Sequence, residues 1–120
     1  MSDASPSRPV GPYTPIVRSG GWLIVSGQLG LRDGTLVDGG VEAQLTQAIA
    51  NLAALLASEG ADLGSVVKTT VFLTDIDDYP AMNAAYVAAF GEHRPARSAV
   101  AVAGLPLGGL VEIEAWASIG

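Results

Sequence analysis

The ten residues from position 110 to position 119 alternate between two kinds of side chain. Those that point one way are all apolar, namely Val111, Ile113, Ala115, Ala117 and Ile119. Those that point the other way include two carboxylates and a tryptophan, namely Leu110, Glu112, Glu114, Trp116 and Ser118. A period of two residues is that of a β-strand with one buried face. The chain must therefore build a sheet whose second face carries acidic and aromatic groups.

Two segments have the spacing of helices. In the segment 41–59, apolar residues recur at intervals of four, four, three and four, and Gly60 stands where a helix commonly ends. Its apolar face holds Val41, Leu45, Ile49, Leu52 and Leu56, and its opposite face holds Gln44, Gln47, Asn51 and Ser58. The second helix is predicted to start after Asp77-Asp78, with Pro80 in its first turn, and to end at Gly91. Its apolar face holds Met82, Tyr86, Ala89 and Phe90.

Further strands are predicted at 16–18, 22–26, 66–74 and 98–102, and the loop 31–40 is predicted to hold a small hairpin at Asp33-Gly34. The order β-β-α-β-α-β-β predicts an α+β domain with a mixed sheet. Two helices can cover only one face of that sheet. The open face would carry Glu112, Glu114 and Trp116, with Lys68, Thr70 and Phe72 as further candidates. This mixture suits a subunit interface with a polar site inside it.

Length and composition support one domain at 11–120, after a loose tail at 1–10. Alanine (19 residues) and glycine (15 residues) supply more than a quarter of the 120-residue chain, whereas the aromatic residues number only seven. Small side chains make a thin core, so we expect another subunit to complete the burial.

The net charge of −6 argues against RNA or DNA as the main partner, because nucleic-acid affinity depends largely on phosphate neutralisation. The absence of cysteine excludes disulfides, thiolate catalysis and cysteine-ligated metals. His93 is the only histidine, and no nucleotide-binding glycine motif occurs, so we expect neither a metal nor a cofactor. No apolar run is long enough for a membrane span and no signal peptide is recognisable, so the cytoplasm is the expected compartment.

Two charged positions could carry chemistry. Arg97 lies where a loop becomes a strand and could grip a carboxylate in a bidentate manner. From its position alone, however, Arg97 is better explained as a surface arginine that pairs with a nearby acid. Glu112 and Glu114 share a strand face, and a partly buried glutamate can have a raised pKa and move protons. The alternative is a pair of solvated carboxylates, which Trp116 on the same face disfavours.

Three uncharged positions have two interpretations each. Tyr13, between Pro12 and Thr14-Pro15, presents a rigid phenol that could cap a pocket, although simple packing of the N-terminal segment explains it better. Ser26 and Gly27 end a strand, where small residues allow a ligand to approach the backbone, or form a bulge. Asn83 in the second helix could reach a ligand or only an adjacent loop.

Taken together, these segments resemble the RidA (YjgF-type) reactive-intermediate deaminase family, also described as endoribonuclease L-PSP-like, over about residues 8–119. The resemblance rests on Gly11-Pro12-Tyr13, Ser26-Gly27-Gln28, Ala43-Gln44 with Asn51-Leu52, Val66 to Leu73, Met82-Asn83, Pro95-Ala96-Arg97-Ser98, Leu105-Pro106 and Val111 to Ala115. The chain departs from the family pattern in three places: Ala99 stands where many members carry cysteine, the approach Gly91 to Arg94 is short, and Pro15 replaces a common glutamine.

The resemblance implies a chorismate-mutase-like fold with two helices on one face of the sheet, and a homotrimer with the sheets inward and the sites in clefts between subunits. It implies cofactor-free hydrolysis of 2-imino acids, such as those formed from 2-aminoacrylate, to 2-keto acids and ammonia. Arg97 would bind the substrate carboxylate, Glu112 would activate water and Tyr13 would close the pocket. Ser26, Gly27, Asn83 and the backbone of Ala99 would line it.

Two other functions compete with this interpretation. The first is a non-catalytic trimer that binds small carboxylates or other metabolites in the same cleft. The second is a ribonuclease, a name given to some relatives, which the net charge of −6 and a single lysine disfavour.

Overall fold

The computed structural model describes residues 9–120, so most of the predicted tail at 1–10 lies outside the described residues. The strands are β1 (Ile16–Ser19), β2 (Trp22–Leu29), β3 (Leu31–Arg32), β4 (Thr35–Leu36), β5 (Val66–Leu73), β6 (Ala96–Ala101) and β7 (Val111–Ser118). The helices are α1 (Gly40–Ser58) and α2 (Tyr79–Phe90). Short 3-10 turns occupy Leu63–Ser65, Ile76–Asp78 and Pro106–Gly108.

Five strands form one sheet in the order β1-β2-β7-β5-β6. The pairs are antiparallel except for β5 with β6, which run parallel and are joined by α2. A parallel pair needs a crossover of this kind, since a tight turn can join only antiparallel strands. The predicted α+β class and the predicted order of elements are confirmed. Strand β6 begins at Ala96, two residues before the predicted start.

Both helices lie on one face of the sheet and enclose the core between them. The core side chains are almost all aliphatic, and the largest that are fully buried include Leu23, Leu45, Ile49, Leu52, Leu56, Leu73, Met82 and Ile113. The alternation of β7 is confirmed, because Val111, Ile113, Ala115 and Ala117 are buried while the residues between them are not.

The prediction that Gln44 lies on the polar face of α1 was wrong, because Gln44 is buried with 6% of its surface exposed. It stands three residues after Val41, which places it on the core side of the helix. Its Oε1 accepts a hydrogen bond of 2.9 Å from the backbone N–H of Leu110. A buried amide is tolerated when it is hydrogen-bonded in this way, and this contact ties α1 to the start of β7.

The hairpin predicted at Asp33-Gly34 is confirmed by the pairing of β3 with β4. Asp33 (φ 54°) and Gly34 (φ 81°) both adopt positive φ, as a two-residue type I′ turn requires. Three polar side chains of the hairpin and α1 form a chain of hydrogen bonds from Arg32 through Gln47 to Asn51.

The face of the sheet opposite the helices is open in the single chain. Glu112 and Glu114 are partly exposed on it, and Lys68, Thr70 and Phe72 lie beside them as predicted. Trp22 and Trp116 are 43% and 42% exposed, and their rings meet edge to face at 5.9 Å. Two exposed tryptophans in contact mark a surface that a partner commonly covers. Within residues 9–120, no helix has the length and apolar content needed to cross a bilayer.

Candidate functional site

A bulge in β2 shapes the first half of the site. The pairing of β2 with β7 shifts between Val25 and Gln28, so that Ser26 and Gly27 form an irregularity in the ladder. A Cβ atom on Gly27 would lie 2.5 Å from Oε2 of Glu112. Glycine therefore lets the carboxylate lie against the backbone of β2, and the bulge interpretation of this segment is confirmed.

The bulge also holds the N-terminal segment in place. The Ser26 hydroxyl donates to the carbonyl of Thr14 (2.8 Å), and the Ser26 N–H donates to the carbonyl of Pro15 (2.9 Å). Tyr13, which precedes Thr14 in the chain, lies in a tight turn in which its N–H donates to the carbonyl of Gly11 (2.9 Å). The Tyr13 hydroxyl accepts a bond of 3.3 Å from the N–H of Val10, and its ring stays exposed. The bulge at Ser26, which lies within β2 and not at its end, thus positions the phenol.

These residues line one cavity of about 220 Å³. Tyr13, Ser26, Gly27 and Glu112 line it together with Gln28 and Asn51, and much of its apolar wall comes from Val10, Pro15, Leu29, Leu31 and Pro106. We call Tyr13, Ser26, Gly27 and Glu112 the glutamate cluster. Its size and its mixture of apolar surface with a few polar groups fit a small organic molecule.

The environment of Glu112 favours its neutral form. Burial raises the pKa of Glu112, and the neighbouring carboxylate of Glu114 raises it further. Among the described residues, no cation pairs with Glu112 and no donor hydrogen-bonds to its carboxylate. A carboxylate that is partly removed from water without a partner is a better base than a solvated one. The interpretation of this pair as two fully solvated carboxylates does not fit the half-buried Glu112.

The second half of the site surrounds Arg97 on β6. Its Nη2 donates to the hydroxyl of Tyr79 (3.0 Å), and its Nη1 lies 3.6 Å from the sulfur of Met82. The guanidinium carbon lies 4.8 Å from the centre of the Tyr86 ring and 5.5 Å from that of Tyr79. No carboxylate of residues 9–120 forms an ion pair with Arg97, so a surface pair with an acid does not account for it.

Asn83 and Ala99 lie on the two elements that surround Arg97, namely α2 and β6. Asn83 stands one helical turn after Tyr79 on α2, and its Oδ1 is buried with no hydrogen-bond partner among the described residues. Ala99 follows Arg97 by two residues, so the two side chains share one face of β6. Buried acceptors normally have donors, and Asn83 Oδ1 lacks one among the described residues. We call Arg97, Asn83 and Ala99 the arginine cluster.

The two clusters do not meet within one chain. Arg97 pairs with Thr69 on β5, whereas Glu112 pairs with Phe72, and β5 lies between β6 and β7. Two strand spacings and three residues along the strand separate the Cα atoms by about 14 Å. The side chains also point to opposite faces, since Thr69 is buried under the helices and Glu112 lies on the open face. The structure therefore places the seven predicted site residues in two separate groups, the glutamate cluster and the arginine cluster.

Two residues that shape the site were missed in the sequence. Tyr79 touches Arg97, and the helical spacing of four residues to Asn83 was the available signal. Asn51 was assigned only to the polar face of α1. Its amide donates to the carbonyls of Leu29 (3.1 Å) and Leu31 (3.0 Å), and thereby fixes the strand end that forms the cavity wall.

Comparison with known proteins adds to this geometry. The family model described as Endoribonuclease L-PSP matches residues 4–119. The chain is 44% identical over 119 residues to the 2-iminobutanoate/2-iminopropanoate deaminase of Capra hircus, which covers 98% of this chain and 87% of the relative. The chain belongs to the RidA (YjgF-type) family.

Solved structures of RidA relatives have the same fold. The crystal structure of RidA from Psychrobacter sp. PAMC 21119 matches with a TM-score of 0.91 and 40% identity, covering 99% of this chain and 97% of that one. The structure of E. coli TdcF with bound serine matches with a TM-score of 0.90 and 33% identity, covering 100% of this chain and 97% of that one. The predicted family and fold are thus confirmed.

Proposed function

We propose that this RidA-family protein hydrolyses 2-imino acids to 2-keto acids and ammonia without a cofactor. The observation that carries the proposal is a half-buried glutamate that lies in a cavity and pairs with no cation among residues 9–120. Within the same described range, Arg97 pairs with no carboxylate. Relatives at 41–44% identity carry the name 2-iminobutanoate/2-iminopropanoate deaminase.

Arg97 binds the carboxylate of the substrate. A guanidinium has five N–H donors, and two of them are directed at Tyr79 and Met82. Nε, Nη1 and Nη2 each keep one remaining N–H donor, which is enough for a bidentate contact with a planar carboxylate. The Tyr86 ring covers one face of the guanidinium and limits its rotation.

Glu112 acts as the general base. The imine carbon is electrophilic once its nitrogen is protonated, so an oriented water molecule is a sufficient nucleophile. The water oxygen bonds to that carbon while Glu112 takes one proton from the water. Glu112 then delivers this proton to the amine nitrogen, and the carbon–nitrogen bond breaks. The hydroxyl gives its proton to the departing ammonia and becomes the carbonyl of the keto acid. Ammonia leaves as ammonium, and Glu112 is again a carboxylate.

The other residues define the space around the substrate. Tyr13 closes the glutamate cluster with its phenol, and Ser26 and Gly27 supply backbone groups at the bulge. Asn83 offers its unpartnered Oδ1 to an N–H of the imine or the leaving amine. Ala99 lines the site through its backbone and leaves room where a larger side chain would intrude.

The active unit is a homotrimer in which the open sheet faces meet and each site is shared by two subunits. Support comes from the separation of Arg97 and Glu112 in one chain, which keeps both from reaching one small substrate. The exposed pair Trp22 and Trp116 gives the open face the apolar surface that a subunit interface buries. The cytoplasm remains the predicted compartment.

The central experiment measures imine hydrolysis. A serine or threonine dehydratase generates the 2-imino acid in place, and 2-keto acid formation is followed with wild-type protein, with Arg97→Ala, with Glu112→Gln and with none. We expect acceleration by the wild type and loss in both variants. An Arg97→Ala protein with full activity would refute the mechanism.

A mixing experiment tests the shared site. Arg97→Ala and Glu112→Gln subunits are unfolded together, refolded and assayed. If each site takes its arginine and its glutamate from different subunits, random assembly restores intact pairs at about one quarter of the sites. If both residues act from one subunit, mixing restores nothing. Sedimentation of the wild type gives the oligomeric state directly.

The second candidate is a trimer that binds small carboxylates without turnover. It is favoured by one observation, which is that the relative TdcF has been solved with serine bound. Binding of 2-ketobutyrate that requires Arg97, together with no acceleration of imine hydrolysis by folded protein, would select this function over the first.

A further inference from the structure

Tyr79 is the first residue of α2, and its hydroxyl is the strong acceptor on Arg97. The hydroxyl oxygen receives the Nη2 bond at 3.0 Å, whereas the sulfur of Met82, at 3.6 Å from Nη1, is a weak acceptor. The Tyr86 ring contributes contact but no hydrogen bond to the guanidinium. Among the described residues, the Tyr86 ring limits the rotation of the guanidinium, and the phenol of Tyr79 is the strong hydrogen-bond acceptor that directs its donors.

We propose that Tyr79 is a positioning residue that holds the Arg97 guanidinium in the orientation that receives the substrate carboxylate. The inference rests on the proposed function, because it assigns a role to the environment of the carboxylate-binding arginine. It goes beyond that function because neither the motifs nor the family resemblance pointed to position 79.

The backbone at Tyr79 is well suited to this role. Asp75 accepts a hydrogen bond of 2.9 Å from the N–H of Asp77 and so fixes the turn that leads into the helix. Tyr79 has helical backbone angles (φ −55°, ψ −46°), and Pro80 follows at a position where its fixed φ favours the start of a helix. The hydroxyl is thus presented from a rigid element, as a precise contact requires.

The Tyr79 hydroxyl is also an uncharged acceptor, which matters for the charge of Arg97. A phenol accepts one N–H and remains neutral, so Arg97 keeps its full positive charge for a ligand. A carboxylate at this place would hold the guanidinium more tightly, but it would compete with the carboxylate of the substrate. The groups around Arg97 therefore restrict the guanidinium without pairing with its positive charge.

The test compares Tyr79→Phe with wild type. Phenylalanine keeps the ring and removes only the hydroxyl, and the residue is 39% exposed, so the fold should be kept. We expect the dissociation constant for 2-ketobutyrate and the KM for the 2-imino acid to rise by about three- to tenfold, with kcat changed less than about twofold. Val87→Ala on the exposed side of α2 is the matched control and should resemble wild type.

Two further measurements keep the test decisive. Thermal unfolding should be unchanged in Tyr79→Phe, and an imine without a carboxylate should be hydrolysed equally by both proteins. A merely structural role would move both readouts. A crystal structure of Tyr79→Phe should show the guanidinium rotated from its wild-type position.

Failure of this inference differs from failure of the proposed function. If wild type is active, Arg97→Ala is inactive and Tyr79→Phe matches wild type in KM and in ketobutyrate binding, the positioning role is refuted and the function stands. If wild type hydrolyses no imine but binds 2-ketobutyrate, the enzymatic function fails, and weaker binding by Tyr79→Phe still supports the positioning role. A fall in kcat at constant KM would also overturn the inference.

Discussion

Replacing Gly27 with alanine tests whether the close approach of β2 and Glu112 matters for activity. The new Cβ would lie 2.5 Å from Oε2, 2.7 Å from Cδ and 3.1 Å from Cγ of Glu112. Ordinary contact begins at 3.4 Å, so the carboxylate must withdraw by about 0.9 Å. A displacement of about 1 Å in a reacting group can cost about a hundredfold in rate. We expect kcat/KM to fall by about that factor.

The fold of this variant should be nearly unaffected, because the clash is with the end of a flexible side chain. Thermal unfolding of Gly27→Ala should therefore stay close to wild type. Gly104→Ala is the silent control, since a Cβ there meets open space. Gly30→Ala is the disruptive control, since its Cβ would strike the backbone of Gln44. A Gly27→Ala protein with wild-type kcat/KM and a shifted Glu112 would refute the argument that this placement serves catalysis.

The remaining predictions concern charge and packing. Glu114→Gln removes a charge that raises the pKa of Glu112, so the acidic limb of the kcat/KM profile should move to lower pH; an unmoved limb contradicts this. Folding raises the pKa of Glu112, so the free energy of unfolding should fall as pH rises through that raised pKa. Urea unfolding at several pH values should show a smaller fall for Glu112→Gln than for wild type. Asn51→Ala frees the carbonyls of Leu29 and Leu31 and should lower the free energy of unfolding by about 1–3 kcal/mol, measured in urea; no change would show that water replaces the amide.

Most of the fold was predictable because its signals are local. The alternation in β7 and the helical repeat in α1 each depend on residues close in sequence, and both were confirmed. The open face of the sheet was predictable because two helices can cover only one of its two faces. The prediction for Gln44 was wrong because polar residues are usually exposed, whereas its position three residues after Val41 places it over the core. A buried amide is recognisable only when its partner, the N–H of Leu110, is known to be near.

The surroundings of the functional residues were less predictable because they depend on crossings between distant segments. Tyr79 reaches Arg97 across 18 positions of sequence, through a helix that folds back over β6. The contact of Gly27 with Glu112 joins strands that are far apart in the chain. Position alone could show that each residue type was suitable, but not which side of the sheet it would face.

A contrast between two arginines supports the proposal that Arg97, rather than a more exposed cation, binds a carboxylate. Arg18 forms an ion pair of 3.1 Å with Glu59, and a second bond to the carbonyl of the same residue. Its charge is already matched, so it serves to join β1 to the end of α1.

Arg97 has neutral partners, namely a phenol, a thioether and an aromatic face. These groups restrict the side chain, which would lower the entropic cost of binding a ligand, and none of them matches the positive charge. The same reasoning applies to Glu112, which has a carboxylate neighbour and pairs with no cation among residues 9–120. Arg97 and Glu112 lie on opposite faces of one sheet and do not neutralise each other within a subunit. In the proposed trimer, this separation would leave both groups free for an anionic substrate held between two subunits.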